Sequence, residues 1–390
     1  MRKSLGNLAL LGASLVLLAG LLEIGTRLFS RLDPGLTVPD PVVGRRYQRS
    51  FEGSVFVPEV DREVALRFNR EGFRGADLPY DKPAEVRRVA LLGDSFALAI
   101  ATDEERTAAR QLESLLRGWD GGHRWQVMNF GVSGSSTGQE LALYREVVRR
   151  YRPDLVVCLF AVINDFADNS RRLSSASGVY FDLDASGRLV RLPVDGEAVS
   201  GWLNRHSRFY TWQKIALHKL RRGARDRARV VKPGRWIFST DTSLPDVAHA
   251  WTLLERLIVA FARDVERDGG DLVLAVLPAP EQIYDDRWQE VLWTARDAAG
   301  AFDRRHPERR LSEIAATAGV PLIDMTDHFR ERAPHASLEL EDEWLFLNGI
   351  GHLNDAGNRL VAEVLFDWVA RREAVSGDSG KSAQPELVGG

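Results

Sequence analysis

The sequence predicts an α/β fold, a doubly wound and mostly parallel sheet with helices on both faces. Three observations predict it. From about residue 86 onward, short apolar runs of strand length alternate with amphipathic stretches of helical length. Runs such as 89–92 and 155–160 are apolar at successive positions, as in strands covered on both faces. These runs stop on small or polar residues, at the carboxyl edge where open α/β sheets place their ligands. A chain of 390 residues that is 44% hydrophobic and 27% charged can bury a core of that size.

The chain opens with Arg2 and Lys3 and then runs almost wholly apolar over residues 5–22, up to Glu23. About 20 apolar residues span a bilayer. A signal peptide has the same opening but needs a small-residue cleavage site, and Ala19-Gly20-Leu-Leu-Glu23 is a poor one. We therefore expect a single-pass transmembrane anchor over residues 5–24. The basic residues before the run favour an inside amino terminus, although Arg27 and Arg31 weaken that bias. The remainder is then expected outside the cytoplasmic membrane, in the periplasm. Residues 25–85 read as a polar, proline-containing connector, with short edge strands at 55–57 and 66–68. Its turn-rich stretch Asn69-Arg-Glu-Gly-Phe-Arg-Gly75 reads as a loop pinned by a buried Phe73. Nothing in the connector carries chemistry by itself.

The first central strand ends in Gly93-Asp94-Ser95-Phe96. The glycine permits a tight turn, and the turn can lift a serine hydroxyl out of the sheet edge beside free backbone N–H groups. Asp94 or Ser95 acting as an ordinary helix N-cap explains the stretch equally well. An amphipathic helix with Leu112, Leu115 and Leu116 follows. A second strand over 125–130 enters the small-residue loop Gly131-Val-Ser-Gly134-Ser-Ser-Thr137, and then a helix over about 139–150. The third strand, 155–160, ends at Asn164-Asp165, and its Cys158 reads as an inert core thiol.

An insert over about 170–245 interrupts the alternation. His206 and His218 read as surface residues, and Trp202, Tyr210, Trp212 and Trp236 as packing for the insert. Regular alternation resumes with a helix over 251–265, a strand over 272–277, a helix over 310–318 and a strand over 320–324. The loop Asn348-Gly-Ile-Gly-His352-Leu-Asn-Asp-Ala-Gly357 precedes a last helix over about 356–371, with Asn354 or Asp355 as its N-cap. Residues 373–390 read as a disordered tail.

A net charge of −3 gives no nucleic-acid footprint, and a single cysteine excludes an intrachain disulfide and a thiolate metal cluster. In a parallel sheet, Ser95, Gly134, Asn164 and His352 all come from one edge. His352 is placed to take the proton of Ser95, and the N–H groups of Ser95 and Gly134 with the Asn164 amide would supply an oxyanion hole.

These four stretches resemble the SGNH (GDSL) hydrolase superfamily, over roughly residues 86–372. The amino-terminal anchor and the Asn-x-x-Gly-Phe-Arg segment resemble its bacterial membrane-anchored members. The resemblance implies a flavodoxin-like three-layer sandwich. It implies a nucleophile at Ser95, a general base at His352, an oxyanion hole from Ser95, Gly134 and Asn164, and neither cofactor nor metal. Two departures stand out. Val162 and Ile163 replace a usual glycine before Asn164. Gly349 stands where an aspartate is usual, three residues before the histidine. The imidazole then works in a Ser–His dyad, with a backbone carbonyl or Asn348 holding it, or with Asp342 as a more distant acid. The expected function is that of an envelope serine esterase acting on an acylated small molecule or polysaccharide, such as an O-acetylated one. The alternatives are an O-acyltransferase of the same chemistry and a scaffold protein that has lost turnover.

Overall fold

The computed structural model describes residues 2–29, 36–40, 43–119, 124–174, 179–192, 203, 206–214, 216–217, 231–295, 301–333, 344–347 and 351–381. The chain begins with one long helix, α1 (Arg2–Phe29). Two antiparallel hairpins follow, β1 (Thr37–Asp40) with β2 (Gly44–Tyr47), and β3 (Glu52–Val57) with β4 (Arg62–Arg67). The connector is thus more ordered than its polar composition suggests. Its hairpins have a small core of their own, in which Tyr47 stacks on Phe68 at 4.4 Å and Val55, Val57, Val64 and Leu66 are buried.

The central sheet begins at β5 (Val86–Gly93). Helices α2 (Ser95–Leu98) and α3 (Ala108–Gly118) lead to β6 (Arg124–Gly131). Helix α4 (Thr137–Glu146) leads to β7 (Leu155–Ala161), and the short α5 (Asp165–Asp168) follows. The insert contributes the hairpin β8 (Phe181–Leu183) and β9 (Leu189–Arg191). Helix α6 (Pro245–Arg267) then enters β10 (Asp271–Leu277). Helices α7 (Pro280–Ile283), α8 (Asp285–Thr294) and α9 (His306–Ala318) precede β11 (Leu322–Asp324). The chain closes with α10 (Thr326–Arg332) and α11 (Asp355–Lys381). Helix α11 runs past Arg371 into the stretch expected as a tail, and residues 382–390 lie outside the described ones.

The five strands lie in the order β11-β10-β7-β5-β6, and every neighbouring pair is parallel. The expected α/β architecture is therefore the observed one. All seven residues of β7 are buried, because helices cover both sheet faces. The two-residue period of a strand then sorts one apolar run between two cores. Val89, Leu91, Val157 and Leu159 pack with Leu112 and Leu116 of α3 and Val361 and Leu365 of α11. Ala90, Leu92, Val156, Cys158 and Phe160 pack with Leu141 of α4, Leu257 and Phe261 of α6 and Leu311 of α9.

Of the insert aromatics, Trp236 is packed against the second of these cores, Tyr210 is half-buried, and Trp202 lies outside the described residues. Trp212 stacks on Phe209 of the same insert at 6.4 Å and is 48% exposed. The exposed His206 is at the surface as expected, and His218 lies outside the described residues.

Asn129 ties the strand ends together. Its amide donates to the Ala97 carbonyl at 2.7 Å, and its side-chain oxygen accepts the Gly131 N–H at 2.9 Å. Gly131 has to be glycine, because a Cβ there would lie 2.2 Å from the Leu98 nitrogen. Asn129→Leu strips the Gly131 N–H and the Ala97 carbonyl of these partners. We expect a loss of about 1–3 kcal/mol in urea denaturation, together with lower turnover from a displaced α2.

Candidate active site

The turn after β5 is held from three sides. Asp94 is the N-cap of α2, its Oδ1 accepting the Phe96 N–H at 2.8 Å. The N-cap reading and the exposed-serine reading of this turn therefore coexist, since Asp94 caps while Ser95 stays partly open to solvent. The Gly93 carbonyl accepts both the Val132 N–H and the Ser135 hydroxyl at 3.0 Å, which brings the Gly134 loop against the nucleophile turn. Gly134 adopts φ +69°, a left-handed conformation that a side chain would strain.

The third support comes from the connector. Asn69 folds its loop by accepting the Glu71 and Phe73 N–H groups at 3.0 Å, and Phe73 is buried. The next residue, buried Arg74, donates to the carbonyls of Leu98, Ala99 and Thr102. These carbonyls lie at and just beyond the end of α2, where a cation is favoured.

Asn164 sits at the end of β7. Its amide nitrogen donates to Asp94 Oδ2 at 3.0 Å and to Asp168 Oδ2 at 3.3 Å. Its amide group is thus engaged by two carboxylates. Beneath the turn lie three buried carboxyls, Asp94, Glu140 and Asp165. Burial raises the pKa of all three, Glu140 to about 8, and each is further raised by the charge of a neighbour. Glu140 accepts from the Cys158 thiol at 3.3 Å, and burial also raises that thiol, so Cys158 is inert as expected.

His352 comes from the other end of the chain. Its loop is pinned by the Leu347 N–H to the His352 carbonyl at 2.7 Å, and by Asn354, the N-cap of α11, accepting the Gly357 N–H at 2.9 Å. The imidazole lies 5.3 Å from the Phe96 ring, and it interacts electrostatically with Asp94. Both contacts flank Ser95 in sequence, which brings His352 and the Ser95 turn together.

Sequence reasoning missed the partner on the far side of the ring. Glu59, in the β3–β4 turn, accepts from the His352 backbone N–H through Oε1 at 2.8 Å, and its Oε2 lies 2.5 Å from Nδ1. Asp342, Asn348 and Gly349 lie outside the described residues. The position expected for a carbonyl, Asn348 or Asp342 is taken at Nδ1 by this glutamate. Nothing local marks Glu59, and the absent acid at Gly349 was the only hint that one might come from elsewhere. Gly351 completes the fit, since a Cβ there would lie 2.1 Å from Glu59 Oε1.

The electrostatics of the pair agree from both sides. Burial opposes charge on the imidazole, but the Glu59 hydrogen bond and charge, aided by Asp94, outweigh it and raise the His352 pKa above 6.5. Burial likewise opposes the Glu59 carboxylate, and His352 outweighs it and lowers the pKa below 4.5. An ionised Glu59 puts the neutral ring's proton on Nδ1 and leaves Nε2 as the basic atom.

Residues 91–360 match the GDSL-like lipase/acylhydrolase family, and the chain belongs to that family of ester-hydrolysing enzymes. No curated protein sequence matches it significantly. Solved structures similar to it include an acetyl xylan esterase, with TM-score 0.41 and 14% identity over 72% of this chain and 99% of that one. A two-domain esterase active on acetylated mannans gives TM-score 0.40 and 13% identity over 74% of this chain and 50% of that one. An acetylxylan esterase from Geobacillus stearothermophilus, as a catalytic mutant, gives TM-score 0.39 and 13% identity over 72% and 93%.

Two predictions follow from the pair. If neutral His352 is the base, kcat/KM rises with a midpoint above pH 6.5, and Glu59→Gln moves the midpoint down while reducing kcat by on the order of 10²–10⁴-fold. A pH–rate profile with an unmoved midpoint would contradict this role. For stability, the raised His352 contributes fully below 6.5 and loses that contribution as pH climbs through its folded value. The lowered Glu59 contributes fully above 4.5 and loses it as pH falls through its own. The Tm advantage of wild type over Glu59→Gln is therefore largest between pH 4.5 and 6.5 and shrinks on either side.

Proposed function

We propose that this protein is a membrane-anchored serine esterase working through Ser95, His352 and Glu59. The observation that carries the reading is His352 held between the Glu59 carboxylate and the turn bearing Ser95. In this mechanism His352 Nε2 takes the Ser95 hydroxyl proton as Oγ attacks the ester carbonyl. Glu59 holds Nδ1–H and stabilises the imidazolium. The negative oxygen is received by the backbone N–H groups of Ser95 and Gly134. The Asn164 amide joins them by releasing Asp94 or Asp168. His352 returns the proton to the leaving alkoxide, and water, deprotonated by the same nitrogen, then cleaves the acyl-serine.

The scaffold reading rested on the acid missing at Gly349, and a carboxylate at Nδ1 removes that ground. The substrate class we infer is an O-acylated small molecule or polysaccharide of the cell envelope. Helix α1 supports the location. It is long and apolar enough to cross a membrane once, its apolar window having a mean hydropathy of 1.6 with none of it buried. Arg2 and Lys3 favour a cytoplasmic amino terminus, with the esterase domain on the outer side.

A fluorophosphonate probe should label wild type and leave Ser95→Ala unlabelled. Ester hydrolysis should fall by on the order of 10⁶ in Ser95→Ala and nearly as far in His352→Ala, because the residues act as a unit. Undiminished labelling of a folded Ser95→Ala protein would exclude Ser95 as the nucleophile.

A further inference from the structure

The polar end of α1 is engaged by the insert. Glu23 Oε2 accepts from the Ser207 hydroxyl at 2.8 Å and the Phe209 N–H at 3.1 Å, and Oε1 accepts from the Arg208 N–H at 3.0 Å. Arg27, paired with Glu23 at 2.7 Å, donates to the His206 carbonyl at 3.0 Å. Residues 208–214 are helical, so the carboxylate of one helix caps the free N–H groups of another. Ser207 adds an ordinary cap, accepting the Tyr210 N–H at 3.0 Å.

The height of this junction is set by the span. The apolar run of residues 5–22, at about 1.5 Å per residue, is close to the roughly 30 Å of a bilayer's hydrocarbon. Glu23 is the next residue, at the headgroup level. The segment clamped there exposes large apolar side chains to solvent, with Trp212 at 48% and Leu217 at 52%. Phe209 stacks with Trp212 at 6.4 Å and 13°, and the Lys214 ammonium lies 5.8 Å from the Tyr210 ring. Exposed tryptophan and leucine beside tyrosine and lysine suit the membrane–water interface, where rings and stems bury and polar tips stay wet.

We propose that residues 207–214 and 216–217 form a second membrane contact, an interfacial foot lying in the headgroup layer of a phospholipid bilayer and clamped to the span by Glu23. The proposal rests on α1 crossing the membrane. The same insert reaches the candidate site at its other end, where Gly234 packs so closely on the Ile163 carbonyl that a Cβ would lie 2.0 Å from it.

The chain's only cysteine, Cys158, is fully buried, so an introduced cysteine takes a thiol-reactive fluorophore uniquely. Full-length Trp212→Cys, labelled with a nitrobenzoxadiazole dye, is reconstituted in phosphatidylcholine–phosphatidylglycerol vesicles carrying a doxyl quencher on an acyl chain. Leu217→Cys serves if Trp212→Cys fails to fold. Arg124→Cys, at the amino end of β6, is the control. We expect at least twofold stronger quenching at the foot by a shallow quencher than by a deep one, and none at position 124. Adding Glu23→Gln should at least halve the foot's quenching while the protein stays in the membrane. Quenching at the foot no greater than at position 124, in protein resisting carbonate extraction, overturns the foot and leaves the anchor standing. Unchanged quenching in the Glu23→Gln background overturns the clamp. Release of the whole protein by carbonate overturns the anchor and the foot together.

Discussion

The hydrogen-bonded pair of Glu59 and His352 joins an extension that precedes the sheet to a loop that follows it. Neither residue is part of the five strands. The imidazole keeps its place because the carboxylate grips both Nδ1 and the backbone N–H of the same residue. That double grip requires a bare backbone at Gly351, and it requires the β3–β4 hairpin to be seated against Leu98 and Ala101 beside the nucleophile turn. The connector is therefore better described as a wall of the candidate site than as a spacer. Its Arg74 holds the end of α2, and its Glu59 holds the imidazole.

The sheet was legible in the sequence because its signals are local. An apolar run such as 155–160 has few alternatives to a strand covered on both faces, and Gly93-Asp94-Ser95 announces a turn wherever it stands. The placement of Gly134 and Asn164 at the same edge followed from parallel topology alone. Glu59 was illegible because its partner is 293 residues away, and no spacing rule links a hairpin turn to a helix cap. Its flanking strands were glimpsed at 55–57 and 66–68, but a polar hairpin shows only half of its alternation when one face is solvated.

The acids under the nucleophile illustrate a different limit. Asp94 carries an evident local duty as an N-cap, yet it also binds Asn164 and feels the charges of His352 and Asp168. Glu140 and Asp165 come from α4 and α5, elements that no motif connects, and they share one buried volume with Asp94 only after the sheet has formed. Their raised pKa values are a property of that enclosure rather than of the residues.

The sequence separation of Glu59 and His352 bears on how the protein comes to life during synthesis. The hairpin that bears the acid emerges early from the ribosome, and the histidine is among the last residues of the fold to appear. Closing so long a loop is slow and is rewarded only after the intervening sheet has formed. A nascent or partly folded chain can expose Ser95 on a nearly complete β5 before Glu59 has oriented His352. The arrangement around Ser95 is thus completed only when segments from both sides of the sheet sequence have met.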